Sequence, residues 1–202
     1  MRARVVILAG PSGSGKSRLA SRLLETHGWP IVRLDDFYRD HDDPRAPRHE
    51  SLGIVDWDHV DSWDGHAALA ALEELVATGR TVTPVYDISS SRAIDTGEIT
   101  CVPTDLIVAE GIFAAELIGP LRERGLLHAA YCIRHGHRLM TFALRLGRDL
   151  VERRKPPGVL VRRGWELQRN EPALVRRLTG LGATPARASE VETALAVAVG
   201  RP

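Results

Sequence analysis

Gly10-Pro11-Ser12-Gly13-Ser14-Gly15-Lys16-Ser17 follows the apolar run Arg4-Val5-Val6-Ile7-Leu8-Ala9 and precedes a segment in which Leu19, Ala20, Leu23 and Leu24 recur at helical spacing. Every fixed position of the pattern G-x-x-x-x-G-K-[ST] is filled. A loop with three glycines lets successive backbone N–H groups turn inward around phosphate oxygens, at the positive end of the helix that follows. Lys16 then reaches the β- and γ-phosphates. Ser17 offers a neutral oxygen to Mg2+, an ion that leaves much of its octahedral shell to phosphate, water and carboxylate. Gly10, Ser12, Gly13, Ser14, Gly15, Lys16 and Ser17 are therefore the expected nucleotide-binding residues, with ATP and Mg2+ as ligands. Strand, loop and helix, closed by Gly28, form the first βα unit of an α/β fold.

The rest of the chain extends that unit. Pro30 to Leu34 reads as a second strand that runs into Asp35-Asp36-Phe37-Tyr38, which puts an acidic pair where open α/β sheets bind ligands. Residues 39 to 55 lack periodicity and read as a surface loop, followed by the acidic and aromatic run Asp56 to Asp64. Trp57 and Trp63 are expected to anchor the core. A helix is expected over Gly65 to Thr78, ended by Gly79. Thr81 to Tyr86 and Glu98 to Val102 suggest short β segments around a polar loop, an excursion from the main sheet. Asp105 to Gly111 is a continuous apolar run ending in Glu110, the pattern of a central parallel strand buried on both faces. A helix over about Phe113 to Arg124, kinked or divided near Gly119-Pro120, leads to a strand over Leu126 to Ile133. An arginine-rich helix spans His137 to Lys155 and is broken by Pro156-Pro157-Gly158. Further helices open at Pro172 and at Ser189, where Ser189 and Glu192 suggest a capping box. The expected fold is one domain over 1–202, with a parallel sheet of about five strands, helices on both faces, a small β excursion and a helical lid near 137–158.

Charge is almost balanced at net +1 over 202 residues, which gives no global sign of a nucleic-acid partner. Its distribution is uneven: Asp35 to Asp64 holds ten acids and three arginines, whereas Arg134 to Arg177 holds twelve bases and four acids. That segregation suits a site with a metal and polar acceptor on one side and a polyphosphate on the other. Cys101 and Cys132 form no C-x-x-C pair and no disulfide framework, so reduced thiols are expected. No apolar run reaches the ~20 residues of a membrane span, and the P-loop begins too early for a cleaved leader. A soluble cytoplasmic protein with no nucleic-acid or membrane partner is the expectation.

With these pieces in order, the chain resembles the uridine kinase family of P-loop nucleoside kinases over roughly residues 4 to 155. Five stretches carry the resemblance: the P-loop, Asp35 to Tyr38, Asp56 to Asp64, Pro84-x-Tyr86-Asp87 with Arg92, and Glu110-Gly111-Ile112. The resemblance implies transfer of the ATP γ-phosphoryl group to a small acceptor. Asp35 is then the catalytic carboxylate, orienting the acceptor hydroxyl and taking its proton beside Mg2+. Glu110 helps to hold the Mg2+ shell with Ser17. Asp58 and Arg92 contact ribose hydroxyls, and Tyr38 and Tyr86 line the nucleoside pocket. Arg148-Asp149-Leu150-Val151-Glu152-Arg153 resembles the family's lid, which makes Arg145, Arg148 and Arg153 the groups closing over the phosphates. Read without the resemblance, Asp35 or Asp36 could cap a short helix, Glu110 could serve an ion pair, and the arginines could form a solvated face.

Two departures bear on the acceptor. Arg154-Lys155-Pro156-Pro157 stands where the family carries a glycine after its Glu-Arg pair, and Ile88-Ser89-Ser90-Ser91 replaces a stretch that holds a base-contacting histidine. A kinase of another alcohol or vitamin, or an ATP-binding protein without kinase activity, are the competing readings. A regulatory nucleotide switch is disfavoured, because no Asp has a Gly three residues on and Asn-Lys-x-Asp is absent.

Overall fold

Val5 to Ala9 are all fully buried behind an exposed Arg4, which places β1 (Arg4–Ala9) inside a sheet covered on both faces. The computed structural model describes residues 3–49, 53–134 and 172–199. In it β1 lies between β5 (Leu106–Glu110) and β6 (Leu127–Ile133), with β2 (Ile31–Arg33) beyond β5 and β7 (Thr184–Ala186) beyond β6. The order is β2-β5-β1-β6-β7 and every pairing is parallel.

Alternation along β1 divides the core in two. Val5, Ile7 and Ala9 face Leu69, Leu72 and Leu75 of helix α2 (Gly65–Thr78), together with Leu117, Ile118 and Leu121. Val6 and Leu8 face Leu19 and Leu23 of helix α1 (Lys16–His27), with Trp29, Val191 and Leu195. Helices thus cover both faces, as the sequence suggests. The arginine-rich helix, its lid over 137–158, and Arg145, Arg148 and Arg153 lie outside the described residues.

Some local readings hold and others change. The segment after Glu110 divides near Gly119-Pro120, as expected: a 3-10 turn over Ala114–Leu117 hands over to helix α3 (Ile118–Glu123). Pro120 therefore falls in the first turn of α3, where a missing N–H costs little. The fifth strand, β7, comes from Thr184-Pro185-Ala186, a stretch with no strand signal in the sequence. The last helix starts at Ala188, and Glu190 Oε2 accepts the Arg187 N–H at 2.7 Å, so the cap sits before Ser189. Glu192 instead pairs with Arg22 of α1 at 2.6 Å. Finally, Trp63 is buried with its Nε1 donating to the Leu34 carbonyl at 2.6 Å, whereas Trp57 is only half-buried and stands in a wall rather than the core.

The β excursion is a hairpin of β3 (Arg80–Asp87) and β4 (Arg92–Thr100), paired antiparallel in a sheet of its own. Its turn is shorter than the polar loop expected between the two segments, because pairing continues through the exposed residues of β4.

Candidate active site

Three neighbouring strands deliver the expected chemistry to one place. In register, Glu110 at the end of β5 lies level with Leu8 of β1 on one side and with Arg33 of β2 on the other. The P-loop leaves β1 one residue after Ala9, and Asp35 follows β2 in a 3-10 turn over Leu34–Phe37. Topology alone therefore gathers Lys16, Ser17, Asp35 and Glu110 at the carboxyl edge of the sheet, where open α/β folds bind ligands.

The P-loop has the geometry of an anion cradle. Gly13 and Gly15 adopt φ of 79° and 90°, a left-handed backbone that side chains disfavour. No side chain caps α1 and no acid stands in its first turn, so its amide end is open to an anion. Ser14 Oγ is buried with no hydrogen-bond partner among the described residues. A phosphate oxygen would supply that partner. Lys16 is buried and its Nζ donates to the carbonyls of Gly10 at 2.9 Å and Pro11 at 3.2 Å, which holds it over the loop.

Glu110 is buried to 7% exposure, and burial pushes its carboxyl above the usual glutamate range. Lys16 and a hydrogen bond from the Ser17 hydroxyl work against that rise, while Asp35 adds to it. The Lys16 ammonium and the Ser17 hydroxyl are the groups that partner this buried carboxylate. Ser17, Glu110 and Asp35 offer few oxygens, and among the described residues no three His, Cys, Asp or Glu side chains gather into a cage. Hydroxyl and carboxylate oxygens are the donor type Mg2+ takes, with phosphate and water completing its shell.

Asp35 is exposed and oriented: its Oδ1 accepts the Ile112 N–H at 2.8 Å. Asp36 caps nothing. The Tyr86 N–H bonds its carboxyl, tying the hairpin to the 3-10 turn, and burial raises its pKa.

Beyond Asp35 stands an aromatic wall. Tyr38 packs against Trp57, Tyr86 and Phe113 with ring centroids 5.8, 5.9 and 6.0 Å away, and Phe113 also meets Trp63 at 5.9 Å. Burial, then the charges of Asp35 and Asp58, push the Tyr38 hydroxyl upward. Tyr86 is pushed up to about 12 by burial and Asp40. Both phenols are therefore neutral donors: Tyr38 to the Trp57 carbonyl at 3.3 Å, Tyr86 to the Arg39 carbonyl at 3.2 Å. Asp58 is exposed near this wall, its N–H donating to Asp56 Oδ1 at 3.2 Å. Arg92 points elsewhere, pairing with Asp42 and reaching His41 Nδ1 at 3.5 Å. Sequence reasoning missed Gly111, Phe113 and the wall role of Trp57. Only the Glu110-Gly111-Ile112 stretch carried a signal for the first.

A groove of about 1070 Å³ lies between Phe37–Asp40, the 42–45 loop, α2 and β3, and of the expected site residues only Tyr38 reaches it. Among the described residues no helix is long and apolar enough to cross a membrane.

Comparison with known proteins agrees with this geometry. Residues 5–82 match a family described as AAA domain. The uridine kinase of Macrococcus caseolyticus (strain JCSC5402) is 34% identical over 117 residues, covering 55% of this chain and 54% of the relative. The chain thus spans about half the length of that relative. The uridine kinase of Deinococcus deserti is 30% identical over 169 residues, covering 82% of this chain and 77% of the relative. A candidate fructose transport system kinase from Silicibacter sp. TM1040 superposes with a TM-score of 0.59 at 21% identity, over 93% of this chain and 88% of that one, and shares the fold.

Proposed function

We propose, from the premise that this chain belongs to the uridine kinase family, that it transfers the γ-phosphoryl group of ATP to a hydroxyl of a small acceptor, and that the acceptor is a nucleoside. The observation that carries this reading is the convergence of Asp35, Glu110, Lys16 and Ser17 at the ends of β2, β5 and β1.

ATP and Mg2+ supply the transferable group and part of the charge neutralisation. The chain does the rest. The P-loop amides and Lys16 bind the phosphates, and Ser17 and Glu110 with Asp35 hold the metal. Asp35, fixed by the Ile112 amide, orients the acceptor hydroxyl and takes its proton. Tyr38, Tyr86 and Asp58 flank the acceptor, whereas Arg92, paired with Asp42, stands outside that wall. Arg145, Arg148 and Arg153 belong to the same reading on the strength of the resemblance, as charges closing over the transferred group.

One observation favours a second reading, in which the acceptor is another alcohol. The turn that lacks the base-contacting histidine is filled by Ser89 and Ser90, which bond the Asp87 carboxylate at 2.6 and 2.8 Å, and its arginine is paired with Asp42. The experiment is acceptor-dependent ADP release across uridine, cytidine, adenosine and simple sugar alcohols. Release with a nucleoside upholds the first reading; release with none of them, beside intact ATP binding, removes the kinase claim.

A further inference from the structure

Arg39 follows Tyr38 directly and has no part in the machinery above. Its side chain is 14% exposed, and its guanidinium donates Nη1 to Asp64 Oδ2 at 3.0 Å and Nε to the Asp61 carbonyl at 3.1 Å, with Asp43 Oδ2 at 3.6 Å. Its main chain is held as firmly. The Arg39 N–H donates to the Ser62 carbonyl at 2.9 Å, and its carbonyl accepts the Tyr86 hydroxyl at 3.2 Å. Asp64 answers from the other side: its N–H donates to the Phe37 carbonyl at 2.8 Å, and its Oδ1 accepts the Ala67 N–H at 3.0 Å to cap α2.

These bonds close a clamp on Tyr38. The residues on either side of it, Phe37 and Arg39, are bonded to 61–64, and Tyr38 itself forms an antiparallel bridge with Trp63. The Tyr38 side chain has a single 3.3 Å hydrogen bond of its own, so the wall it builds with Trp57, Tyr86 and Phe113 depends on where the clamped backbone puts it. A pair between exposed charges would matter little. This one is mostly shielded, forked and charge-assisted, and a lysine's single ammonium does not reproduce the planar Nη1–Nε fork.

We propose that Arg39 is a positioning residue for the acceptor side: it fixes Tyr38 and, through the Tyr86 hydroxyl, the tip of the β3–β4 hairpin, and so governs acceptor affinity without contacting the acceptor. The proposal rests on the kinase reading above for its kinetic consequence, but the clamp itself is a structural claim.

The test pairs kinetics with amide hydrogen exchange on Arg39→Met, Arg39→Lys and Asp64→Asn. With uridine as the probe, Arg39→Met should raise the acceptor KM about tenfold, the scale of one charge-assisted hydrogen bond, and leave the KM for ATP within about twofold. Arg39→Lys should recover only part of the loss. Exchange in 37–40 and 61–64 should speed by about tenfold in Arg39→Met, with β1 and β5 unchanged. Asp64→Asn keeps an oxygen for the α2 cap and should show the same split if Arg39→Met fails to fold. Equal rises in both KM values, or unchanged exchange in 37–40 and 61–64, would overturn the proposal. If the wild-type protein phosphorylates no acceptor, the kinase reading fails, and the exchange data alone uphold or overturn the clamp.

Discussion

Asp35 Oδ1 accepts the N–H of Ile112 at 2.8 Å, so the carboxylate after β2 is held by the chain leaving β5. The contact needs a glycine between them. A Cβ on Gly111 would lie 2.7 Å from Asp35 Oδ1 and 2.9 Å from Leu34 Cβ. Gly111→Ala should therefore push the carboxylate aside, and a displacement of about 1 Å at a reacting group costs on the order of 100-fold in turnover. Kinetics and a thermal melt together check this. A small change in Tm beside a large loss of kcat is expected, whereas unaltered kcat would mean that Asp35 does not need this placement.

Asp35→Asn keeps the shape and the Ile112 contact but cannot accept a proton. The kcat should fall by about 10²- to 10⁴-fold, with ATP affinity little changed. If ATP affinity collapses while kcat at saturation holds, Asp35 serves the metal or the fold instead.

Glu110 gives a pH-dependent stability whose sign is fixed by burial. Its carboxyl titrates above the ordinary value of 4.5 in the folded chain, so the folded state binds the proton more tightly than the unfolded one. Stability is then highest below pH 4.5 for this group and declines as pH rises through the folded value. In metal-free protein, Glu110→Gln should raise Tm at neutral pH and leave it unchanged near pH 4, while the apparent requirement for Mg2+ in turnover increases. A Tm difference that grows on acidification would contradict the assignment.

The hairpin turn predicts loose base selection. Asp87, Ser89 and Ser90 satisfy one another, and Arg92 is engaged by Asp42. A site without a hydrogen-bonding partner for the base cannot reject analogues strongly, so kcat/KM for uridine, cytidine and a purine nucleoside should fall within about tenfold of each other. A strong preference for the two pyrimidines would show that another residue has taken over the histidine's role.

Legibility in the sequence followed the strength of local signals. β1, α1, α2 and β5 could be read because burial on both faces or one face writes itself as a run or a 3.6-residue period. β7 could not, since Thr184-Pro185-Ala186 is three residues long and pairs only because β6 presents an edge to it. The first half of β4 was hidden for a different reason: Arg92 to Thr96 are all exposed, so no apolar alternation marks them, and only the segment from Glu98 onward could be read. In the site, Lys16 and Ser17 are fixed by motif spacing. The tie between Asp36 and Tyr86, the close approach at Gly111 and the fork of Arg39 all depend on chain segments brought together by folding. An arginine in an acidic run looks the same in sequence whether it is solvated or shielded.

The central claim is phosphoryl transfer driven by the P-loop, and the most direct measurement follows radiolabel from the γ-phosphate of ATP into an acceptor, in wild-type protein and in Lys16→Ala. The wild-type chain should label a nucleoside or another alcohol in the panel. Lys16→Ala, folded by its melt, should lose at least about 100-fold in rate, because a charge is removed where negative charge moves in the transition state. Near-normal labelling by the folded variant, or no acceptor labelled by the wild type, would contradict the account.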